Sequence, residues 1–313
     1  MILKKLISLI GALLFVLSIL FVSHRIYVNF DELKGAGFSY NTLVVIFVFS
    51  FIYALSNFIL SSNWRKLLLG FGQESPDRRV CFRIYAVSVL TKYIPGAIFQ
   101  YASRQAMGKK YGFNQVSLII ASFFEFFGLV IAASFLTIVG TLFFRMLSRS
   151  SLILMVVVIV LLAIFLYALL MNMHKIKYIQ KYVKMNFTFR DIKRHFFPVL
   201  LGYVLFFLVS GLLVFFLGDV ISGQNIATMP LVISAWAFSW LMGYVVIWAV
   251  AGLGVREAFL IATLSGIVGE AHAILIALSF RMAVVLGDVI FYSINMLFLS
   301  GSKRVEVSDV SGQ

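Results

Sequence analysis

Long, almost uninterrupted apolar runs dominate the chain. A helix needs about 20 residues to cross the hydrocarbon core of a bilayer, so runs of this length predict transmembrane helices. Two shorter apolar stretches, 85–101 and 252–269, are interrupted by glycine, proline or charged residues. We predict an all-α, polytopic integral membrane protein with about seven or eight transmembrane helices. The long runs cover residues 6–23, 43–60, 116–144, 151–171, 198–217, 231–250 and 272–300.

The composition excludes a soluble protein. Of the 313 residues, 62% are hydrophobic and 12% are charged, with a mean hydropathy of +1.03. Soluble domains are near half apolar and about a quarter charged. The longest polar stretch, 171–196, is far below the ~50 residues at which independent domains begin, so we expect no soluble catalytic domain. The first run resembles a signal peptide, but it is long and lacks a small-residue cleavage site, so we interpret it as the first helix.

The net charge is +14, and the positions of the lysines and arginines along the chain predict the orientation of the helices. Lysine and arginine collect on cytoplasmic loops, so this charge does not indicate a nucleic-acid partner. Lys4 and Lys5 predict a cytoplasmic N-terminus, and the loop 218–229, with one acid and no base, is expected outside. The most basic loop is predicted inside and can also gather anionic lipid. Its basic residues are Lys175, Lys177, Lys181, Lys184, Arg190, Lys193 and Arg194.

A re-entrant hairpin is predicted around Pro95 and Gly96. Basic residues stand on both sides of the run 85–101, which places both of its ends inside. Proline breaks the helical hydrogen-bond ladder and glycine lets the chain turn. Broken backbone at membrane depth is tolerated where protein or a wet cavity surrounds it. An ordinary kinked spanning helix is the alternative.

A similar layout recurs near the C-terminus, where a glycine-rich segment, 252–257, precedes the last long run. Residues 128–131 (Gly-Leu-Val-Ile) match 287–290 (Gly-Asp-Val-Ile) in three of four letters. We therefore predict two related halves, 1–150 and 151–300, followed by a short polar tail, 301–313. Paired interrupted helices are a pointer to a midplane transport site. Residues 252–269 either span or re-enter, and this choice decides the side of the C-terminus.

Charged residues inside the apolar runs are the candidate functional residues. Each costs about 2.5–3.5 kcal/mol at a helix centre, so such residues are usually paired or functional. Glu125 stands among phenylalanines within 116–144, and Glu270 precedes the last run. Arg281 and Asp288 are seven residues apart and share one helix face. These last three residues are interpreted as ion-pair or coupling groups. The interrupted segments add Lys92, Arg104, Arg256 and Glu257.

Motifs for chemistry do not occur in the sequence. The segment 252–257 begins like a dinucleotide fingerprint, but Glu257 occupies the third glycine position. No Walker A motif or nucleophile elbow is found, and the four histidines lack metal-ligand spacing. We therefore predict no cofactor, no metal and no catalytic residue. A transport function is favoured over enzyme activity.

Four motifs carry a resemblance that covers nearly the whole chain. Lys92-Tyr-Ile-Pro-Gly96, Gln100-Tyr-Ala-Ser-Arg104, Glu125 and Gly252-Leu-Gly-Val-Arg-Glu257 resemble the flippase-like transmembrane domain of lysylphosphatidylglycerol synthases. The resemblance implies a stand-alone bacterial inner-membrane protein without the aminoacyl-transferring domain. It would move, or help to move, a lipid or lipid-linked sugar between leaflets in envelope lipid or polysaccharide assembly. The substrate-binding positions that it implies are Pro95, Gly96, Arg104, Glu125, Gly254, Arg256 and Glu257.

The chain departs from the family pattern at two places. Many relatives carry Pro-Gly where this chain has Val250-Ala251, and often Glu-Arg where it has Glu125-Phe126. These departures bear on the substrate, which is expected to be a phospholipid or a polyprenyl-phosphate-linked glycan.

From the residues themselves, we hypothesise that Lys92, Arg104 and Arg256 form a cytoplasm-facing pocket for a lipid phosphate. Glu125 and Glu257 would balance these charges when the site is empty. Two other classes stay open. One is a non-transporting scaffold that binds envelope-assembly proteins, and the other is a membrane-embedded transferase.

Overall fold

The computed structural model describes residues 24, 27–28, 40–73, 75–94, 98–172, 189–223, 229–245, 252 and 254–298. The run 6–23, the tail 301–313, Pro95 and Gly96 lie outside the described residues, as do Lys175, Lys177, Lys181 and Lys184. The described part is all-helical. Its helices are α1 (Tyr40–Gly70), α2 (Arg78–Thr91), α3 (Ile98–Lys110), α4 (Gln115–Phe144), α5 (Arg149–Asn172), α6 (Phe189–Ser222), α7 (Met229–Val245), α8 (Val255–Val268) and α9 (Glu270–Phe298).

Five of the described helices are long and apolar enough to cross a membrane, namely α1, α4, α5, α6 and α9. The prediction of an all-α, multi-pass membrane protein is therefore confirmed. The α7 helix is shorter but also apolar. The α2, α3 and α8 helices have only 14, 13 and 14 residues. At 1.5 Å per residue they reach about 20 Å, less than the ~30 Å of a hydrocarbon core.

Side-chain caps determine where α2 and α4 begin. The Asp77 side chain accepts hydrogen bonds from the backbone N–H groups of Arg79 and Val80. Asn114 Oδ1 accepts from Val116 N at 2.9 Å and Ser117 N at 3.3 Å. These oxygens satisfy amide donors that have no partner within the helix.

The α2 and α3 helices pack antiparallel as a first hairpin. Thr91 Oγ1 lies 2.9 Å from Ser103 Oγ, and Arg104 Nε donates to Ser88 Oγ at 2.9 Å. The hairpin starts and finishes at one end of the bundle, because Ser117 of α4 donates to the Phe71 carbonyl just after α1. We call this the basic end. It carries Arg65, Lys66, Arg78, Arg79, Lys109 and Lys110.

The α7 and α8 helices form a second antiparallel hairpin. The rings of Phe238 and Phe259 lie 5.5 Å apart, and Ser239 Oγ donates to the Arg256 carbonyl. Near the end of α4, Gly140 packs against Ser234 near the start of α7. The second hairpin therefore begins at the end of the bundle opposite the basic end. Since α8 runs back along α7, α9 also begins there.

The two hairpins occupy corresponding places in an approximately twofold arrangement. The lengths of α1 to α4 are 31, 14, 13 and 30 residues, and those of α6 to α9 are 34, 17, 14 and 29. Exchanging α1–α4 with α6–α9 leaves the pairs of packed helices among these eight unchanged: α1 packs on α9 as α6 packs on α4. The α5 helix packs on α4 and has no counterpart in the described chain.

Two glycine–tyrosine contacts repeat under this exchange. Gly128 of α4 faces the ring of Tyr203 in α6, and Gly287 of α9 faces the ring of Tyr53 in α1. These glycines are the ones that the short sequence match aligns. A common origin of the two halves stays a prediction.

Candidate functional site

Arg104 and Glu125 form a buried ion pair between α3 and α4. The Arg104 side chain is fully buried and that of Glu125 is 2% exposed. Arg104 Nη1 pairs with Glu125 Oε2, while Tyr85 Oη donates to Glu125 Oε1 at 2.7 Å. Together with the bond from Arg104 Nε to Ser88, these contacts satisfy both charged groups. A buried pair of this kind is stable as long as both partners are present.

Aromatic rings surround the Arg104 guanidinium. Its central carbon lies 4.2 Å from the centroid of Tyr85, 5.3 Å from Trp64 and 5.7 Å from Tyr101. The negative faces of such rings attract a cation, most strongly where water is excluded. These rings come from α1, α2 and α3, so the arginine joins the first hairpin to the bundle.

A second group of charges lies where the two hairpins meet α9. We call it the tip cluster, and it consists of Lys92, Tyr93, Arg256, Glu257, Arg281 and Asp288. The Asp288 side chain is fully buried and lies 2.6 Å from Lys92 Nζ. Its carboxylate also accepts from Tyr93 Oη at 2.5 Å and from Asn57 Nδ2 at 3.1 Å. Three partners therefore hold this carboxylate.

Glu257 divides its two oxygens between a helix cap and an arginine. Oε2 accepts from Gly254 N at 2.7 Å, which caps the start of α8. Oε1 lies 3.6 Å from Arg281 Nε on α9. The carboxylate stabilises the first turn of α8 by satisfying its amide and complementing the helix dipole. It also links the tip of the second hairpin to a spanning helix.

Arg256 packs on the face of Trp240, with 5.2 Å between its guanidinium carbon and the ring centroid. Its side chain crosses Gly243 and Gly252 closely. A Cβ on Gly252 would lie 2.6 Å from Arg256 Nε, and the φ angle of +71° also favours glycine there. Within the described residues, Arg256 Nε has no hydrogen-bond partner. A cavity of about 10 Å³, about the volume one water needs, is lined by Trp236, Arg256, Glu257, Phe280 and Arg281.

The tip cluster lies at mid-depth in the bundle. Arg281 and Asp288 stand on either side of the middle of α9, which spans Glu270–Phe298. Lys92 directly follows α2 at the tip of the first hairpin, and Arg256 is the second residue of α8 at the tip of the second. The cluster therefore lies where the tips of the two hairpins, which enter from opposite ends of the bundle, meet the centre of α9.

An aromatic bridge connects the tip cluster with the Arg104–Glu125 pair. Arg256 packs on Trp240, which stacks on Tyr244 at 4.2 Å between centroids. The Tyr244 hydroxyl lies 2.6 Å from that of Tyr101, whose ring faces Arg104. The two charge groups are neighbours with separate partners.

The structure brings together part of the predicted site. Lys92, Arg256 and Glu257 meet in the tip cluster with Arg281 and Asp288, and Gly254 caps the same turn. The three bases hypothesised to share one phosphate are divided, because Arg104 pairs with Glu125 instead. Glu270 is the first residue of α9, away from the cluster, and Arg190, Lys193 and Arg194 belong to the first turns of α6 at the basic end.

Sequence reasoning missed the neutral members of the site. Tyr85, Tyr93, Tyr101, Tyr244 and Asn57 each bond a charged group or one another. Neutral polar residues in an apolar run cost little, so they give no signal comparable to that of a charge. Only Tyr93 and Tyr101 lie within the quoted motifs.

No protein-family model matches the chain, and no curated protein matches it. The similarity to lysylphosphatidylglycerol synthases therefore rests on the sequence motifs alone and stays a prediction. In the described part of the chain, no group of three or more His, Cys, Asp or Glu residues is placed to hold a metal ion.

Proposed function

We propose that the protein moves, or helps to move, an anionic lipid or lipid-linked sugar between the leaflets of the cytoplasmic membrane. The tip cluster carries this proposal. It holds five charged side chains at mid-depth among helices apolar enough to span a membrane. Ionisable residues at such a depth are expensive and commonly mark a substrate or ion pathway.

The tip cluster is a better substrate site than the Arg104–Glu125 pair. That pair is electrically neutral, fully hydrogen-bonded and packed among aromatic rings. The tip cluster instead joins two hairpins and a spanning helix, so movement of either hairpin changes which charges are paired. A site of this kind can couple a conformational change to the binding of a charged headgroup.

The proposed orientation is supported by the charges at the two ends of the bundle. The basic end is proposed to face the cytoplasm, in keeping with the positive-inside rule. The first hairpin would then re-enter from the cytoplasm, and the second would enter from the outer face. Both hairpins end at the tip cluster, and the C-terminal end of α9 would lie on the cytoplasmic side.

This arrangement supports translocation because the site adjoins one hairpin from each face. Opposed interrupted helices around a midplane site are a recurring construction in secondary transporters. Small displacements of one hairpin at a time would open the tip cluster first to one leaflet and then to the other.

The test is lipid exchange in proteoliposomes. The labelled lipids are phosphatidylglycerol and a polyprenyl-phosphate sugar, and the proteins are wild type, Arg256→Gln and Arg149→Gln. Arg149 is exposed at the start of α5 and serves as the matched control. Wild type and the control should exchange lipid, whereas Arg256→Gln should lose at least about tenfold in rate, or ~1.4 kcal/mol of barrier. Folded wild type that exchanges neither lipid would favour the scaffold function.

A further inference from the structure

We infer that the tip cluster is a binding site for one monoanionic phosphate group, held between Arg256 and Arg281. This inference rests on the proposed function and narrows its substrate class. The shared chemistry is a phosphodiester with a single negative charge, as found in a phospholipid headgroup or in a polyprenyl-phosphate sugar. Arg281 thereby becomes a ligand-binding residue, a role that the sequence did not assign to it.

The tip cluster contains more positive than negative side chains. Lys92, Arg256 and Arg281 are cationic, and Glu257 and Asp288 are anionic. The chain segments 95–97, 246–251 and 253, next to the tips, contain no ionisable residue. Counted over the residues that the structure describes, the cluster therefore carries one excess positive charge. In a membrane interior an uncompensated charge is unfavourable, and one monoanion would neutralise it.

The partners of each charge show where the excess lies. Asp288 is engaged by Lys92, Tyr93 and Asn57. One oxygen of Glu257 caps α8, and the other lies 3.6 Å from Arg281. Among the described residues, Arg256 has no carboxylate within ion-pair distance, and its Nε has no hydrogen-bond partner. The excess charge is centred on Arg256.

Arg256 and Arg281 face the same small cavity. Each positive charge acts on the other, and like charges repel strongly where water is excluded. An anion between the two guanidinium groups turns this repulsion into two attractions. Guanidinium groups also present paired N–H donors that match phosphate oxygens.

The size of the cavity indicates how the phosphate enters. About 10 Å³ admits a single water but no phosphate. The first turn of α8, which carries Arg256, must therefore move away from α9. Gly252 and Gly254 precede this turn with φ angles of +71° and +80°, and glycine is the residue best able to change such angles. Phosphate binding is thus coupled to movement of the second hairpin.

The test measures lipid binding to the full chain in a neutral detergent. The probes are short-chain phosphatidylglycerol and a short prenyl-phosphate sugar as monoanions, phosphatidylcholine as a zwitterion, and phosphatidic acid at pH 8.5 as a dianion. Wild type should bind a monoanion at least about tenfold more tightly than the zwitterion or the dianion. The two monoanions identify the source of the headgroup.

Charge-changing variants make the test specific. Arg281→Gln removes the excess charge and should abolish the monoanion preference, whereas Arg281→Lys should restore most of it. Glu257→Gln raises the excess to two charges and should shift the preference towards phosphatidic acid. Arg149→Gln should bind as wild type does. A purely structural role for Arg281 would not change the charge preference, so Glu257→Gln and the lysine rescue separate binding from misfolding.

Two outcomes overturn the inference. One is a folded Arg281→Gln protein that keeps the wild-type preference for a monoanion, and the other is wild type that binds the dianion equally well. Lipid exchange in proteoliposomes tests the proposed function independently of binding. Monoanion binding without exchange in proteoliposomes would keep the binding site and reject transport, whereas exchange unaffected by Arg281→Gln would reject the site alone.

Discussion

The hydroxyl groups of Tyr101 and Tyr244 lie 2.6 Å apart and join the first hairpin to the second. Tyr101 belongs to α3, and Tyr244 is the penultimate residue of α7. Because the hairpins begin at opposite ends of the bundle, this bond connects elements that reach the middle from both sides. Any movement that separates the hairpins must break it.

The Tyr101–Tyr244 bond should contribute about 0.5–1.5 kcal/mol to stability. Tyr101→Phe and Tyr244→Phe each remove it while keeping both rings. Since the two hydroxyls serve one another, the double variant should cost little more than either single variant. Thermal unfolding of all four proteins in detergent checks this, and full additivity would show that the hydroxyls do not interact.

Glu125→Gln should destabilise the protein by about 3–5 kcal/mol, because it leaves the buried Arg104 without its counter-charge. Replacing both residues by apolar ones, as in Arg104→Met with Glu125→Leu, should recover most of the loss. Unfolding in denaturant measures both variants. Arg149→Gln, at an exposed position at the start of α5, is the control.

One result would assign the Arg104–Glu125 pair a role in transport. If Glu125→Gln folds with wild-type stability but loses lipid exchange, Glu125 acts in transport and the pair is more than a structural link between α3 and α4.

Cysteine labelling should show the two hairpins on opposite faces of the membrane. The only native cysteine, Cys81, is buried and can be replaced by alanine to give the background. Cysteines at Arg79 and Lys110 test the first hairpin, and cysteines at Met229 and Gly266 test the second. An impermeant maleimide added to intact cells should label only the second pair, and inverted vesicles should label only the first.

The position at Gly266 decides between two arrangements of the second hairpin. The site has open space around it, so a cysteine there fits without a clash. Labelling of Gly266→Cys only in inverted vesicles would mean that α7 crosses the membrane and α8 alone re-enters.

Alanine at Gly128 or Gly287 should destabilise the bundle by about 1–3 kcal/mol through overpacking. A Cβ on Gly128 would lie 2.6 Å from Tyr203 Cε2, and one on Gly287 would lie 2.7 Å from the Ser50 carbonyl oxygen. Backbone yields less readily than a ring, so Gly287→Ala should cost more. Gly266→Ala, in open space, should be neutral or slightly stabilising. Thermal unfolding ranks the three, and equal stability would remove the case for close packing.

The spanning helices could be predicted because a helix that crosses a bilayer needs about 20 consecutive, mostly apolar residues. A run such as 116–144 is apolar all round and long enough to cross, and it forms α4 over Gln115–Phe144. The side-chain partners could not be predicted. Lys92 and Asp288 meet only because the first hairpin packs on α9, and no local pattern encodes a contact between residues so distant in sequence.

The sequence also could not predict that Arg104 and Arg256 belong to two different charge groups. Arg104 and Arg256 each lie in an interrupted segment, which made them equivalent candidates for one pocket. The structure gives Arg104 a carboxylate partner on α4, and it places Arg256 against Trp240. Which cation is neutralised depends on the packing of α3 against α4 and of α7 against α8.

The α5 helix, which has no counterpart among the described residues of the other half, determines the relative orientation of the two halves in the membrane. It has the highest mean hydropathy of the five helices that could span a membrane, most of its apolar residues are exposed, and it packs on α4. In the proposed arrangement each set of four helices crosses the bilayer an even number of times and returns the chain to its starting side. One added crossing changes the parity, so the second set is inserted upside down relative to the first. Without α5, both hairpins would enter the membrane from the same side. The tip cluster would then be accessible from that side alone.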